Sequence, residues 1–148
     1  MIATMSGNCG IVKQMLQVES IVSDSRDNSM FTPLMAAAKT GSVEMLNLYL
    51  ESRGVDCNAR DRDGQGVLHY AAHQKNGQVM ELLLSSRRCK VHVDVHGDTP
   101  LHVAQRFGHY DVVRTLQSHR NDHADYSLVK NTLGFTASDV AWIGRPLR

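Results

Sequence analysis

Cysteine, proline and aromatic residues are all scarce in this chain. Its 148 residues include three cysteines, three prolines and 5% aromatic residues, and 16 basic side chains nearly balance 15 acidic ones. An odd number of widely separated cysteines argues against a disulfide framework and favours a reducing compartment. The balanced charge lacks the basic excess of nucleic-acid-binding proteins, and the low aromatic content disfavours base stacking.

Long apolar runs are also missing. No stretch approaches the roughly 20 apolar residues that a membrane helix needs, and the first residues do not form a signal peptide. We therefore expect a protein of the cytoplasm and/or the nucleus that contacts neither membrane nor nucleic acid. A hydrophobic content of 42% suits a single domain with a continuous core.

What the chain does have is a repeat. A segment reading Thr-Pro-Leu-Met-Ala-Ala at Thr32 returns in altered form at Gly66 and at Thr99, 34 and 33 residues further on. A weaker copy follows at Thr136, after 37 residues. This period predicts a solenoid, which offers a surface rather than an enclosed pocket.

A second apolar pattern runs in phase with the first. Its spacings of one, three and four residues predict a helical face, so each repeat should carry two short helices. The predicted face consists of Ile11, Val12, Met15, Leu16, Met45, Leu46, Tyr49, Leu50, Val79, Met80, Leu83, Leu84, Val112, Val113 and Leu116. Polar links rich in Asp, Asn and Gly separate the repeats and predict a row of projecting hairpins.

The third copy carries a family resemblance. Residues 94–104 read Asp-Val-His-Gly-Asp-Thr-Pro-Leu-His-Val-Ala, and the match continues through Gly108 to Val113. This segment resembles the ankyrin repeat, and the copies agree in phase over nearly the whole chain. Three positions depart from the family pattern: Met30 stands at the turn Gly, Gly66 at the helix-starting Thr, and Lys75 at the Gly after the first helix.

The resemblance implies an all-α ankyrin-repeat solenoid of stacked helix-turn-helix units, linked by β-hairpin-like loops. We expect one domain over residues 1–148, with a partial repeat at 1–26, repeats at 27–60, 61–93 and 94–130, and a partial C-terminal capping repeat at 131–148. Trp142 stands where inner repeats have small residues, so we expect it to cover the end of the stack. Alternatively, the chain is a fragment of a longer array.

Most residues of chemical interest have a structural interpretation. The resemblance implies that His69 and His102 bond to nearby backbone and to the Thr, and so tie adjacent repeats together. Cys89, His92 and His96 have zinc-compatible spacing but lack a fourth ligand, so we expect no metal and no cofactor. Neither a phosphate loop nor a nucleophile elbow is present, and we expect no catalytic residues and no enzyme activity.

Two motifs near the repeat junctions need separate interpretation. Arg87, Arg88 and Lys90 follow a predicted helix, where cations complement the helix dipole. Asn58 lies eight residues after Leu50, and in the ankyrin family this pattern resembles substrates of asparagine hydroxylation. Asn58 is therefore a candidate modification site, although a turn residue bonding to backbone explains it better.

The resemblance places a partner-binding surface on the hairpin tips and the concave side of the first helices. Alignment of the repeats gives Asn28, Ser29, Phe31, Lys39, Thr40, Arg62, Asp63, Gln65, His73, Gln74, Val95, His96, Asp98, Arg106, Phe107, Thr132, Leu133 and Phe135. All three Phe residues fall in this set. They either anchor a partner or pack on the bases of their own hairpins.

The sequence therefore predicts a monomeric, non-catalytic module that binds another protein as an adaptor, scaffold or inhibitor. Two alternatives stay open. The chain is a regulatory or targeting segment of a larger enzyme, channel or receptor, or it is a stand-alone protein that resembles ankyrin kinase inhibitors.

Overall fold

The computed structural model describes residues 8–17, 25–52, 54–119 and 126–143, without the side chains of residues 15–17. Within these ranges the chain forms eight α-helices and one short 3-10 helix. In chain order they are α1 Cys9–Gln17, α2 Pro33–Thr40, α3 Val43–Glu51, α4 Val67–Ala72, α5 Gly77–Ser85, α6 Pro100–Phe107, α7 Tyr110–Ser118, the 3-10 helix Tyr126–Leu128, and α8 Ala137–Ile143.

The α-helices stack in two layers. The first layer contains α2, α4, α6 and α8, each packed against the next, and the second contains α1, α3, α5 and α7 in the same manner. The two layers also contact each other, because α2 packs against α3, α4 against α5, and α6 against α7. The predicted all-α solenoid of stacked helix-turn-helix units is confirmed.

One hydrophobic core runs through the described part of the stack. Leu83 is fully buried, and Val113 and Leu101 are only 7% and 6% exposed. The predicted helical face lies mostly inside this core, but Leu50 and Leu116 lie at its margin. Ile11 is 46% exposed, so its assignment to the buried face was wrong. The side chains of Met15 and Leu16 lie outside the described residues.

Two of the first-layer helices begin and end as their sequences predict. Thr32 and Thr99 cap α2 and α6 by accepting hydrogen bonds from the N–H of the residue three positions on, each with proline at the first helical position. Gly41 and Gly108 end these helices in the left-handed conformation. Helix α4 starts after Gly66, which offers no side-chain cap, and it is shorter at six residues.

The predicted hairpins project as four turns of one kind, which we call fingers 1 to 4: residues 27–31, 61–65, 94–98 and 131–135. In finger 2, Asp61 Oδ1 accepts hydrogen bonds from the N–H groups of Asp63 and Gln65 at 2.9 and 2.8 Å. The N–H of Asp61 donates to Gln65 O at 3.0 Å. The same arrangement recurs around Asp27, Asp94 and Asn131.

The fourth residue of every finger adopts a left-handed conformation. Its φ is 63° at Met30, 74° at Gly64, 73° at Gly97 and 82° at Gly134. Glycine adopts such angles without steric cost, whereas a side chain strains them. Met30 therefore fills the turn-glycine position, as the alignment predicts, and finger 1 carries local strain.

Backbone hydrogen bonds join each finger to the next. Arg62 N–H donates to Ser29 O at 3.0 Å, Val95 N–H donates to Asp63 O at 2.9 Å, and Thr132 N–H donates to His96 O at 2.9 Å. The finger row is therefore a continuous ladder that fixes the spacing of its side chains.

The end of the stack differs from the prediction. Trp142 is 73% exposed, and the buried residues of α8 are Ala137 and Val140. Helix α8 packs against α6, and its buried side chains are Ala137 and Val140 rather than the indole. The expectation that Trp142 covers the end of the stack was therefore wrong.

Candidate partner-binding surface

The finger tips and the C-terminal ends of the first-layer helices present the predicted surface. Every predicted residue except Asp98 is exposed or half-buried. Their backbones are fixed by the finger ladder or by the helices, while most of their side chains extend into solvent. Loops held in this way lose little freedom on binding.

Asp98 is the exception, because it is only 1% exposed. Its Oδ1 accepts a hydrogen bond from Asn131 Nδ2 at 2.8 Å, and its Oδ2 forms an ion pair with Arg106. Burial raises the pKa of Asp98, but the hydrogen bonds from Asn131 and Arg106 outweigh it and hold the pKa below its ordinary value. Asp98 joins fingers 3 and 4 and was wrongly assigned to the contact surface.

A cleft of about 560 Å³ opens between fingers 1 and 2. Phe31 and Tyr70 meet edge to face at its base, with ring centroids 5.0 Å apart. The lining residues are Asp27, Ser29, Phe31, Lys39, Asp61, Arg62, Asp63 and Tyr70.

Three carboxylates and two cations line the cleft. The Tyr70 hydroxyl donates to Asp61 Oδ2 at 2.5 Å. Burial raises the pKa of Tyr70, and so do its hydrogen bond to Asp61 and the charges of Asp61, Asp63 and Asp27. The leading charge effects on this phenol thus come from carboxylates, although Lys39 and Arg62 also line the cleft.

A second feature lies at the end of α6. The Phe107 ring is 53% exposed and lies between two imidazoles, with centroids 5.0 Å from His73 and 5.9 Å from His109. His109 Nδ1 donates to Ala72 O at 3.0 Å, which fixes its ring against the preceding repeat. An aromatic ring held in this way is a ready anchor for a partner.

The three Phe residues differ in exposure and contacts. Phe31 is half-buried against Tyr70 of the following repeat, with Lys39 Nζ 5.8 Å from the ring centroid. Phe107 is exposed, and Phe135 is 38% exposed. Exposed apolar side chains also occupy the tips of fingers 3 and 4, where Val95 is 57% and Leu133 76% exposed.

The histidines of the repeated segment have structural roles, as predicted. His69 Nδ1 accepts from Gly66 N–H at 3.2 Å, and its Nε2 donates to Asp98 O at 3.0 Å in the next finger. His102 repeats this between Thr99 and Phe135 O. Burial lowers the pKa of His69, which keeps the ring neutral with the proton on Nε2.

The outer repeats have Met35 and Asp139 at the position of these histidines, and their contacts show why histidine is not required there. Met35 Sδ accepts from the Thr32 N–H at 3.5 Å, and Asp139 Oδ2 accepts from the Thr136 N–H at 2.8 Å. All four side chains thus accept a hydrogen bond from the N–H of the residue that precedes their helix. The histidines in addition reach the following repeat.

The zinc-compatible spacing does not form a metal centre. Cys89 is 1% exposed, His96 lies on finger 3 in solvent, and no three His, Cys, Asp or Glu side chains of the described residues could hold an ion. Cys89 instead contacts the thiol of Cys57, although the two are far apart in sequence. The hydrogen bond with Cys57 raises the pKa of Cys89, and burial raises it further. The same hydrogen bond lowers the pKa of Cys57 to about 7.

Arg88 has a role that the sequence interpretation missed. Its guanidinium group donates to Leu50 O, Ser52 O and Val55 O at and beyond the end of α3. It therefore satisfies carbonyls of the preceding repeat rather than complementing its own helix. Asn58 adds a second link, because its amide donates to Arg88 O at 3.0 Å and accepts from Lys90 N–H at 2.7 Å.

Sequence reasoning also missed several residues of the surface. Asp27 and Asp61 were assigned to turns only, yet their carboxylates line the cleft between fingers 1 and 2. Tyr70 and His109 were not predicted to belong to the surface, because only tertiary packing brings Tyr70 against Phe31 and His109 against Phe107. The aromatic character of Tyr70, beside the helix-starting segment, was the one available signal.

No helix in the described ranges has both the length and the apolar character to cross a membrane. The family model of ankyrin repeats, in three copies, matches residues 1–61 and 41–128. A putative ankyrin repeat protein of Rickettsia bellii is 28% identical over 84% of this chain and 67% of its own length.

Two larger proteins also contain similar segments. Inversin of Gallus gallus is 32% identical over 70% of this chain. The human transient receptor potential cation channel subfamily A member 1 is 35% identical over 70%. The chain matches only 9% of the length of each of these two relatives.

Proposed function

The chain belongs to the ankyrin-repeat family, and on this premise we propose that it is a non-catalytic module that binds another protein, as an adaptor, scaffold or inhibitor. The observation that carries the proposal is the finger ladder. Its backbone is fixed by hydrogen bonds within and between fingers, while its side chains are free to make contacts. A surface ordered before binding keeps more of its contact energy as affinity.

The proposed surface keeps the predicted residues apart from Asp98. It comprises Asn28, Ser29, Phe31, Lys39, Thr40, Arg62, Asp63, Gln65, His73, Gln74, Val95, His96, Arg106, Phe107, Thr132, Leu133 and Phe135. Exposed aromatic and aliphatic anchors among polar neighbours are the usual composition of a protein interface.

The absence of catalysis is part of the proposal. The buried groups whose pKa values are displaced, such as His69 and Asp98, are engaged in joining repeats. Their hydrogen-bond partners are backbone carbonyls or neighbouring side chains rather than an open site. This supports an interaction role over an enzymatic one.

Affinity capture with a surface variant tests the proposal. Arg62, Phe107 and Leu133 are exposed, so replacing all three by Ala should abolish partner capture while the melting temperature changes by less than about 4 °C. Phe31→Ala serves as a contrast, because this half-buried ring packs on Tyr70 and its loss should lower stability. Retention of all captured proteins by the triple variant would contradict the proposed surface.

One observation favours the alternative that this segment acts within a larger protein. Inversin and the cation channel carry a similar segment as 9% of their length. The mass of the native protein distinguishes a regulatory or targeting segment from a stand-alone module, and it also tests the proposed monomer. Location in the cytoplasm or nucleus and modification of Asn58 remain predictions.

A further inference from the structure

Five residues of three successive repeats form a patch at the ends of the first-layer helices, which we call the helix-end patch: Lys39, His73, Arg106, Phe107 and His109. Lys39 lies in the last turn of α2, His73 follows α4, and Arg106 and Phe107 end α6. A hydrogen bond from Gln74 Nε2 to Lys39 O holds the first two repeats together at this point.

The patch combines one apolar anchor with two cations, Lys39 and Arg106, and two imidazoles. Phe107 is 53% exposed and is held between the rings of His73 and His109. Lys39 is exposed, and the Arg106 side chain remains 45% exposed although it pairs with the buried Asp98.

The charged groups near His73 indicate that the patch is positively charged. Partial burial lowers the pKa of His73, and the charges of His109, Arg106 and Lys39 lower it further. The charges acting on this imidazole are thus all cations. The leading charge effects on Tyr70, three residues earlier, come from carboxylates. Three carboxylates outnumber the two cations, Lys39 and Arg62, that line the finger cleft, whereas the charged and titratable side chains of the helix-end patch are all basic.

Resting on the proposed function, we propose that the helix-end patch binds a short acidic segment of the partner protein, with an apolar side chain packed on Phe107. A carboxylate near Lys39 and His73 is favoured by charge complementarity. A ring or aliphatic chain on Phe107 covers apolar surface that is otherwise in water. Arg106, the chain neighbour of Phe107, adds positive charge that its ion pair with Asp98 partly offsets.

A short acidic segment fits this surface better than a long polyanion. A polyanion that continued along the repeats towards fingers 1 and 2 would meet three carboxylates, Asp27, Asp61 and Asp63, which outnumber Lys39 and Arg62 in the same cleft. Like charges brought together in this way oppose binding. The carboxylates of the cleft therefore favour a protein segment over a nucleic acid.

Peptide selection tests the inference directly, because it requires no purified partner protein. A random peptide library displayed on phage is selected on the full chain, and the enriched peptides are measured against two double variants. Lys39→Glu with Phe107→Ala alters the patch. The matched control, Lys90→Glu with Trp142→Ala, removes the same charge and one exposed aromatic ring elsewhere on the surface.

We expect enriched peptides with Asp or Glu close to an aromatic or Leu residue. Their affinity should fall at least about tenfold in the patch variant and change less than about twofold in the control. Neutral or basic consensus peptides, or equal loss in both variants, would overturn the inference. The proposed function would survive if such peptides still required Arg62, Phe107 and Leu133.

Two further results would also decide against the inference. If the chain bound single-stranded DNA more tightly than every peptide, the ligand of the patch would be a nucleic acid rather than an acidic protein segment. If no peptide is enriched, the inference fails, and the capture experiment under Proposed function then decides separately whether the chain binds a protein at all.

Discussion

Replacing Arg88 should weaken the coupling between two neighbouring repeats, because its guanidinium group lies in one repeat and bonds to the other. The side chain leaves the segment after α5 and reaches the carbonyls at the end of α3. Two substitutions separate charge from shape. Arg88→Lys keeps the charge but loses the planar fork, and Arg88→Ala removes both.

The expected magnitude follows from three hydrogen bonds. Arg88 Nη1 donates to Leu50 O and Ser52 O at 2.5 and 3.1 Å, and Nη2 donates to Val55 O at 2.9 Å. A bond from a charged donor contributes roughly 1.5–3 kcal/mol net, and water recovers part of it at a half-buried site. We expect Arg88→Ala to lower the free energy of unfolding by about 3 kcal/mol and Arg88→Lys by about 1.5 kcal/mol.

Equilibrium unfolding in urea, followed by circular dichroism, measures both values. For a chain of this size, the Ala variant should also melt about 6–12 °C lower than the native protein. Arg87→Gly is the matched control. It removes the neighbouring charge, and glycine accepts the left-handed φ of 54° found at that residue.

The control should change the free energy of unfolding by less than about 1 kcal/mol, because Arg87 is exposed and surface interactions contribute little. If Arg88→Lys were as stable as the native protein while Arg88→Ala was not, positive charge rather than the fork would hold the repeats together. If both Arg88 variants matched the native protein, the link between these repeats would contribute nothing measurable.

The remaining predictions concern the fingers, and urea midpoints measure each of them. Gly97→Ala should lower the free energy of unfolding by about 2–3 kcal/mol for two reasons. Alanine strains the φ of 73°, and its Cβ would lie only 3.0 Å from the Thr132 backbone nitrogen in finger 4. A Cβ at Gly134 would meet nothing within 4 Å, so Gly134→Ala should lower the free energy of unfolding by only about 1 kcal/mol. Equal losses in the two variants would refute the role of the close approach at Gly97. Met30→Gly should stabilise the protein by up to about 1 kcal/mol, unless the Met30 side chain contributes more packing than its 40% exposure suggests. The pKa of Asp98 is lowered from 3.8 on folding, so its contribution is complete above about pH 4 and is lost as the pH falls through the folded value. Asp98→Asn should therefore be less stable than the native protein at neutral pH and lose less stability on acidification; an unchanged acid profile would contradict this.

Much of the fold could be predicted because its information is local and repeated. The turn residues Asp61 and Gly64 specify finger 2 within five positions, and the same pattern recurs in register along the chain. Helix starts at Thr32 and Thr99 follow from capping chemistry. Apolar spacing in the second helices then predicts which face is buried.

The errors in the prediction occur where long-range contacts decide. Asp98 occupies the same finger position as Phe31 and Phe135, but Asn131 and Arg106 draw its carboxylate into the interior. Trp142 was assigned a covering role from its size alone. Its exposure instead depends on how α8 lies against α6.

The amino-acid sequence by itself determined the helices and the finger turns, because each rests on interactions between residues fewer than five positions apart. The recurrence of these local patterns along the chain then revealed the period. Tertiary structure alone decided the charge pattern of the surface and the links that hold the stack together. Lys39, His73 and Phe107 are about 34 residues apart from one to the next, and only stacking places them on one face. Arg88 likewise finds its three acceptors more than 30 residues away, where no local pattern could indicate them.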